Sequence, residues 1–150
     1  MTSTMTRTVA RLLLLPTLVT ALAILVKGYT QPGDGFSAGV VAALGVLLQL
    51  MVFGREEAEK IPGVRQAGTL AFVGLLAALA LALAPLLFGD AVLTHYPPPG
   101  AKVLHFGTLE FITAVLFDCA VFLLVFGFVV GTVGAISRAT EEADEGRGAS

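Results

Sequence analysis

The sequence predicts an all-α integral membrane protein with four transmembrane helices and with both termini in the cytoplasm. Of its 150 residues, 56% are hydrophobic and only 13% are charged, which is outside the range of ordinary soluble domains. Four apolar runs approach the roughly 20 residues that a helix needs to cross a bilayer. Little chain remains outside these runs to build a catalytic domain, so we expect the protein not to be an enzyme.

The apolar runs set the expected domain organisation. We predict one transmembrane domain over residues 1–136, with spans at about 9–26, 36–53, 67–88 and 109–136. The first span contains Pro16, which membrane helices tolerate, and the second has Gln49 as its most polar interior residue. Residues 137–150 are small, polar and charged, and we expect them to form a disordered cytoplasmic tail.

The basic residues predict the orientation, because short cytoplasmic loops are enriched in Lys and Arg. Two of them, Lys27 and Lys102, fall on one side of a four-span arrangement. The other seven fall on the opposite side: Arg7, Arg11, Arg55, Lys60, Arg65, Arg138 and Arg147. That side, with both termini, is therefore predicted to be cytoplasmic.

Composition also excludes several kinds of site. A net charge of −2 offers no basic surface for nucleic acid. Cys119 is the single cysteine, so no disulfide framework or thiol-rich metal site is expected. His95 and His105 have no further ligands at metal spacing, and loop positions explain them better than metal binding. We expect neither a metal nor a cofactor.

The connection between the first two spans reads Gly28-Tyr29-Thr30-Gln31-Pro32-Gly33-Asp34-Gly35-Phe36. Its three glycines and one proline predict a tight, irregular backbone, and Asp34 precedes a helix start, where a carboxylate can cap free N–H groups. One interpretation is a simple reverse turn. The other is a turn that dips into a wet ion route, where irregular backbone is tolerated and Asp34 is functional.

Asp118 lies within the fourth apolar run, where a carboxylate costs a few kcal/mol unless it faces protein or water. It is therefore a candidate for the ion pathway or its coupling. Glu110 lies eight residues earlier, and on one helix the two acids would form a polar stripe from the outer interface inward. The alternatives stay open: Glu110 at the headgroups, and Asp118 hydrogen-bonded to a neighbouring helix.

Small residues at four-residue spacing predict where helices pack closely. Gly35 with Gly39, and Gly127 with Gly131, would let neighbouring backbones approach each other. Four short helices with few polar groups make a better packing module than a stand-alone channel or carrier.

The turn, read on through Ser37-Ala38-Gly39-Val40, resembles a signature of the B subunit of the Mrp-type multisubunit sodium/proton antiporter. The run Phe117-Asp118-Cys119-Ala120-Val121-Phe122 is similar to the phenylalanine–aspartate motif of that family. The resemblance covers all four spans, about residues 7–134. Tyr29 stands where a histidine is expected, and Asp34 where a glycine is common.

The resemblance implies a multi-pass subunit of the bacterial plasma membrane that works with other membrane subunits to exchange Na+, or another monovalent cation, for H+. It implies that Pro32 and Phe36 shape the turn and that Asp118 is a buried acid facing partner subunits. Similar subunits occur in ion-translocating, membrane-bound hydrogenase-type complexes, which is one alternative. A purely structural packing role is another, and the substitution Asp118→Asn separates it from a role in ion movement.

Overall fold

The computed structural model describes residues 4–28, 33–94, 105–106, 109–110 and 113–148. Its elements, in chain order, are α1 (Thr4–Lys27), α2 (Gly35–Phe53), α3 (Arg55–Ala58), α4 (Ala67–Leu83), a 3-10 helix (Ala84–Phe88), β1 (His105–Phe106), β2 (Leu109–Glu110) and α5 (Thr113–Gly148). Four described helices are long and apolar enough to cross a membrane: α1, α2, α4 with its 3-10 extension, and α5. This confirms the predicted helical fold with four candidate spans.

The third candidate span changes its helical form near its end because of one proline. Pro85 has no N–H with which to continue the α-helical hydrogen-bond ladder, and the chain passes from α4 into the 3-10 helix at Ala84. Gly89 follows with a φ of 83°, a left-handed conformation that glycine adopts without strain. The span therefore covers 22 residues, from Ala67 to Phe88.

The last helix differs from the sequence prediction at both ends. It begins at Thr113, because Leu109 pairs in an antiparallel register with Phe106 of β1 and is not helical. It continues to Gly148, so residues 137–148, predicted to be disordered, are helical. These residues are rich in Ala, Glu and Arg, which favour helix. That local preference is the physical reason for the difference.

The spans pack in the order α1, α2, α5, α4, so α2 and α5 are central and α1 and α4 lie outside them. The core consists mostly of small side chains with a few larger ones. The small residues are Ala21, Ala42, Ala43 and Ala67, and the larger ones are Val46, Phe126 and Val130. Within a bilayer such interfaces gain stability mainly from van der Waals contact.

The backbones of α4 and α5 come into direct contact through glycines. A Cβ atom added to Gly74 would lie 2.4 Å from the backbone nitrogen of Leu124. One added to Gly127 would lie 2.4 Å from the carbonyl oxygen of Ala67, and one added to Gly131 would lie 3.1 Å from a backbone nitrogen of α4. Any larger residue at Gly74 or Gly127 would force the two helices apart.

Candidate functional site

Asp118 is the only buried charged side chain among the described residues, with 5% of its surface exposed. It lies five residues after Thr113, so it is about 7.5 Å along the axis of α5 at 1.5 Å per residue. That places it close to the beginning of the helix, nearer one end of the bundle than the sequence suggested. The carboxylate is thus buried in protein without being at the middle of the span.

The turn after α1 supplies the hydrogen bond that holds this carboxylate. The backbone N–H of Gly33 donates to Oδ2 of Asp118 over 2.8 Å. Gly33 has a φ of 120°, which an L side chain rarely adopts, so glycine is required at the donor position. At the other end of the turn, a Cβ atom on Gly28 would lie 3.1 Å from the same Oδ2 atom. Both described ends of the turn therefore border the carboxylate.

The beginning of α2 packs directly on the backbone of α5 at Asp118. A Cβ atom on Gly35 would lie 2.2 Å from the carbonyl oxygen of Asp118. One helical turn further on, a Cβ atom on Gly39 would lie 3.1 Å from the carbonyl oxygen of Phe122. The two helices thus run side by side in the same direction from this point, with the Asp118 carboxylate at the junction with the turn.

Asp34 does not form the helix cap that the sequence predicted. Its φ of −86° and ψ of −4° are helical, whereas a capping residue usually has an extended backbone, and its side chain makes no capping hydrogen bond. Its Oδ2 atom instead lies 3.5 Å from Nζ of Lys27, and 29% of its side chain is exposed. Its Cβ atom lies 3.6 Å from the Cβ position of Gly28, which also borders Asp118. One end of the bundle therefore carries two carboxylates on either side of Gly28.

Three other predicted positions have different outcomes. Glu110 lies in β2 and not on α5, so it does not share a helical face with Asp118, as the expected polar stripe requires. That prediction was wrong because the apolar run is not helical from its first residue. Phe36 is 60% exposed at the start of α2, where it contributes to the outer surface of the bundle. Pro32 lies outside the described residues.

A second polar contact joins α1 to α2 near the opposite end of the bundle. Nε2 of Gln49 donates to the carbonyl oxygen of Ala10 over 2.6 Å, and Gln49 is 5% exposed. The sequence marks Gln49 as unusual, but no local signal indicates a partner 39 residues away. No buried side-chain N or O atom in the described part of the chain is left without a hydrogen-bond partner.

Ion pairs organise the connection between α2 and α4. Nε of Arg55 lies 2.6 Å from Oε1 of Glu59, and this hydrogen bond lowers the pKa of the Glu59 carboxyl. Nη1 of Arg55 also reaches Oε2 of Glu141 on α5 at 3.4 Å. The hydrogen bond from Lys60 likewise lowers the pKa of Glu57. The contact between Arg55 and Glu141 ties this connection to the part of α5 that was predicted to be a disordered tail.

The arrangement around Asp118 suits the binding and release of a proton or a small cation. Asp118 packs against the start of α2, and its carboxylate accepts a backbone hydrogen bond from Gly33 and adjoins the turn after α1. No group of three or more His, Cys, Asp or Glu side chains that could hold a metal ion occurs among the described residues. We find no arrangement of nucleophile, base and oxyanion donors around Asp118 in that part of the structure.

The chain is similar to known components of antiporters. Residues 5–131 match a family model described as a domain related to the MnhB subunit of the Na+/H+ antiporter. The chain is 31% identical to the B subunit of a Na+/H+ antiporter from Alkalihalophilus pseudofirmus, over 74% of this chain and 76% of the relative. It is 26% identical to a Staphylococcus aureus (strain Newman) protein named as a component, mnhB2, of an antiporter, over 87% of this chain and 92% of the relative.

A third match is to a much longer protein from Rhizobium meliloti, named as the A/B subunit of a probable K+/H+ antiporter. It is 35% identical over 69% of this chain. The matched segment is only 10% of the length of that relative. This chain is thus similar to one segment of a larger polypeptide as well as to separate subunits.

Proposed function

Because the chain belongs to the family of domains related to the MnhB subunit of Na+/H+ antiporters, whose members are transporter components rather than enzymes, we propose that it is a membrane subunit of a multisubunit cation/proton antiporter. In this proposal it resides in the bacterial plasma membrane, assembles with the other membrane subunits and does not transport ions alone. Asp118 belongs to the ion pathway or to its coupling. A short bundle with one buried acid among its described residues is consistent with one part of a transport complex and not with a complete carrier.

The observation that carries this proposal is the environment of Asp118. An acid in a membrane helix is costly unless it is paired or faces protein or water. Here one hydrogen bond of 2.8 Å comes from Gly33, in a turn whose backbone leaves the helical ladder. Irregular backbone at membrane depth is tolerated where it is buried in protein or lines a water-filled cavity. A buried carboxylate that is hydrogen-bonded to such a turn supports a role for Asp118 in the ion pathway or its coupling.

We further propose that both termini lie in the cytoplasm. The three-dimensional distribution of charge supports this orientation. The guanidinium of Arg11 lies 5.1 Å from the centroid of the Phe53 ring, at the end of the bundle that also holds Arg55. Lys27 lies at the other end, beside Asp34. The end richer in basic side chains is the one that the bias of Lys and Arg toward cytoplasmic loops assigns to the cytoplasm.

The cation is proposed only as a monovalent ion exchanged for protons. Relatives carry names that refer to Na+/H+ exchange in one case and to K+/H+ exchange in another. Among the described residues, no group of three or more His, Cys, Asp or Glu side chains occurs that would select one ion by coordination number. The assay therefore has to include both Na+ and K+.

The test is cation/proton exchange in inverted vesicles from an antiporter-deficient host that expresses the whole complex. The strains compared carry the intact chain, a deletion of the chain, and the Asp118→Asn, Asp34→Asn or Asp144→Asn substitution. Asparagine can still accept the hydrogen bond from Gly33 but cannot carry the charge or the proton. Asp144 is exposed on the same helix, so Asp144→Asn is the matched control. Purification of the complex through a tag on another of its proteins reports assembly in each strain.

We expect Asp118→Asn to assemble but to reduce exchange to the level of the deletion, and Asp144→Asn to behave like the intact protein. A complex that keeps full exchange with Asp118→Asn would show that Asp118 has a packing role only. Asp34→Asn then decides whether the second carboxylate takes part. Loss of exchange in this variant would assign both acids to the pathway, whereas normal exchange would limit the pathway to Asp118.

A further inference from the structure

A cavity of about 250 Å³ opens at the end of the bundle opposite Asp118, between the connection that follows α2, the start of α4 and the last turns of α5 within the span. Its deeper wall is apolar and includes Val46, Leu50 and Val130. Small-molecule sites usually begin at about 300 Å³. The cavity is therefore large enough for the polar headgroup of an amphipathic molecule, but small for a whole soluble ligand.

The outer wall of this cavity carries three arginines and one acid. Arg55, Arg65, Arg138 and Glu59 all line it. Arg55 is paired with Glu59, whereas Arg65 and Arg138 form no ion pair within the described part of the chain. Both line the same cavity as Glu59, whose pKa is lowered mainly by the hydrogen bond from Arg55 and to a smaller extent by the charges of Arg138 and Arg65. Two guanidinium groups thus border one cavity with little charge to balance them.

We propose that this cavity binds the phosphate of an anionic phospholipid, with Arg65 and Arg138 as its main ligands. The lining matches a phospholipid in arrangement as well as in charge. The arginines lie at the end of the bundle, whereas Val46 and Val130 lie further inside the spans α2 and α5. Guanidinium groups hold phosphate oxygens in a bidentate geometry. Basic pockets between transmembrane helices on the cytoplasmic side are a recurrent form of anionic lipid site.

The experiment uses the whole complex, purified in detergent and stripped of loosely held lipid. Phosphatidylglycerol that remains bound is quantified by mass spectrometry, and its rebinding is titrated beside phosphatidylcholine. Inorganic phosphate serves as the competitor that represents a free anion. The variant is Arg65→Gln with Arg138→Gln. The matched control, Lys60→Gln with Arg147→Gln, removes the same charge at the same end but outside the cavity lining.

We expect the arginine variant to bind phosphatidylglycerol about thirtyfold more weakly, which corresponds to about 1 kcal/mol for each of the two arginines. The control should bind as the intact complex does. Arg65→Lys with Arg138→Lys keeps the charge but loses the bidentate geometry, so it should bind more tightly than the glutamine variant and more weakly than the intact complex. This readout does not involve ion exchange, so it stands or falls separately from the proposed transport role.

Four results would overturn the proposal. Equal binding of phosphatidylcholine would show that the headgroup does not need to be anionic. An equal loss of phosphatidylglycerol binding in the control would show that the loss is due to net charge and not to the two cavity arginines. Displacement of phosphatidylglycerol by inorganic phosphate at equal concentration would identify a free-anion site. Loss of another protein of the complex from the arginine variant, with lipid binding unchanged, would mean that the cavity receives an acidic segment of that protein.

Discussion

Replacement of Gly35 by alanine tests the contact on which the candidate site depends. The added Cβ atom would lie 2.2 Å from the carbonyl oxygen of Asp118, whereas real Cβ atoms essentially never come within 3.0 Å of such a neighbour. The helices α2 and α5 would have to separate locally by at least about 0.8 Å, the difference between these two distances. Overpacking of this kind typically costs about 1–3 kcal/mol.

The same displacement would act on the carboxylate itself. The hydrogen bond from Gly33 to Asp118 is 2.8 Å long, and lengthening it by that amount brings it to about 3.6 Å, which is no longer a hydrogen bond. We therefore expect Gly35→Ala to lower both the free energy of unfolding and the rate of cation/proton exchange. Unfolding of the purified complex in sodium dodecyl sulfate measures the first, and inverted vesicles measure the second.

Gly146→Ala is the control for the change from glycine to alanine, because a Cβ atom at Gly146 on α5 meets nothing within 4 Å. Alanine in a helix is about 0.5–1 kcal/mol more favourable than glycine, so this control should be neutral or slightly stabilising. Equal stability and exchange for Gly35→Ala and the intact protein would refute the reasoning. It would mean that α2 and α5 do not touch at Asp118.

Three further predictions concern the opposite end of the bundle and the orientation. Gln49→Leu removes the donor to Ala10 and should destabilise the pairing of α1 with α2 by about 0.6 kcal/mol, measured by the same unfolding titration; a stabilised protein would contradict this. Because Arg55 lowers the pKa of Glu59, their pairing stabilises the protein at neutral pH and is lost as the pH falls through the range below 4.5. Glu59→Gln should therefore weaken the dependence of thermal stability on acid pH, and an unchanged acid slope would exclude this pair as a contributor. A fusion of alkaline phosphatase to the C-terminus should be inactive and a fusion of green fluorescent protein should fluoresce, whereas the reverse pattern would invert the proposed orientation.

The spans were predictable because length and hydropathy decide them. A helix is the only open structure that satisfies its own backbone in lipid, so an apolar run of suitable length leaves little choice of conformation. The boundaries were less predictable. Leu109 is apolar and continues the run, but its backbone pairs with that of Phe106, and a two-residue strand pair leaves no periodic signal in the sequence.

The site was predictable in its parts but not in its assembly. Asp118 and the glycine-rich turn are each conspicuous, because one is an acid in an apolar run and the other concentrates residues with unusual backbone freedom. Their contact depends on the packing of α5 against α2, over a separation of 85 residues. The sequence also does not show that Asp34 pairs with Lys27. Its position before a helix predicted an extended capping residue, whereas its backbone is helical and its side chain lies beside Lys27.

The hydrogen bond between Gly33 and Asp118 also imposes a delay during biosynthesis. Gly33 is made 85 residues before its acceptor, so at about 5–20 residues per second the turn exists for roughly 4–17 s before Asp118 is made. During that interval α1 and α2 can pair in the membrane while the N–H of Gly33 must be satisfied by water or by another protein. Nascent chains that stop before α5 would keep this donor without its Asp118 acceptor.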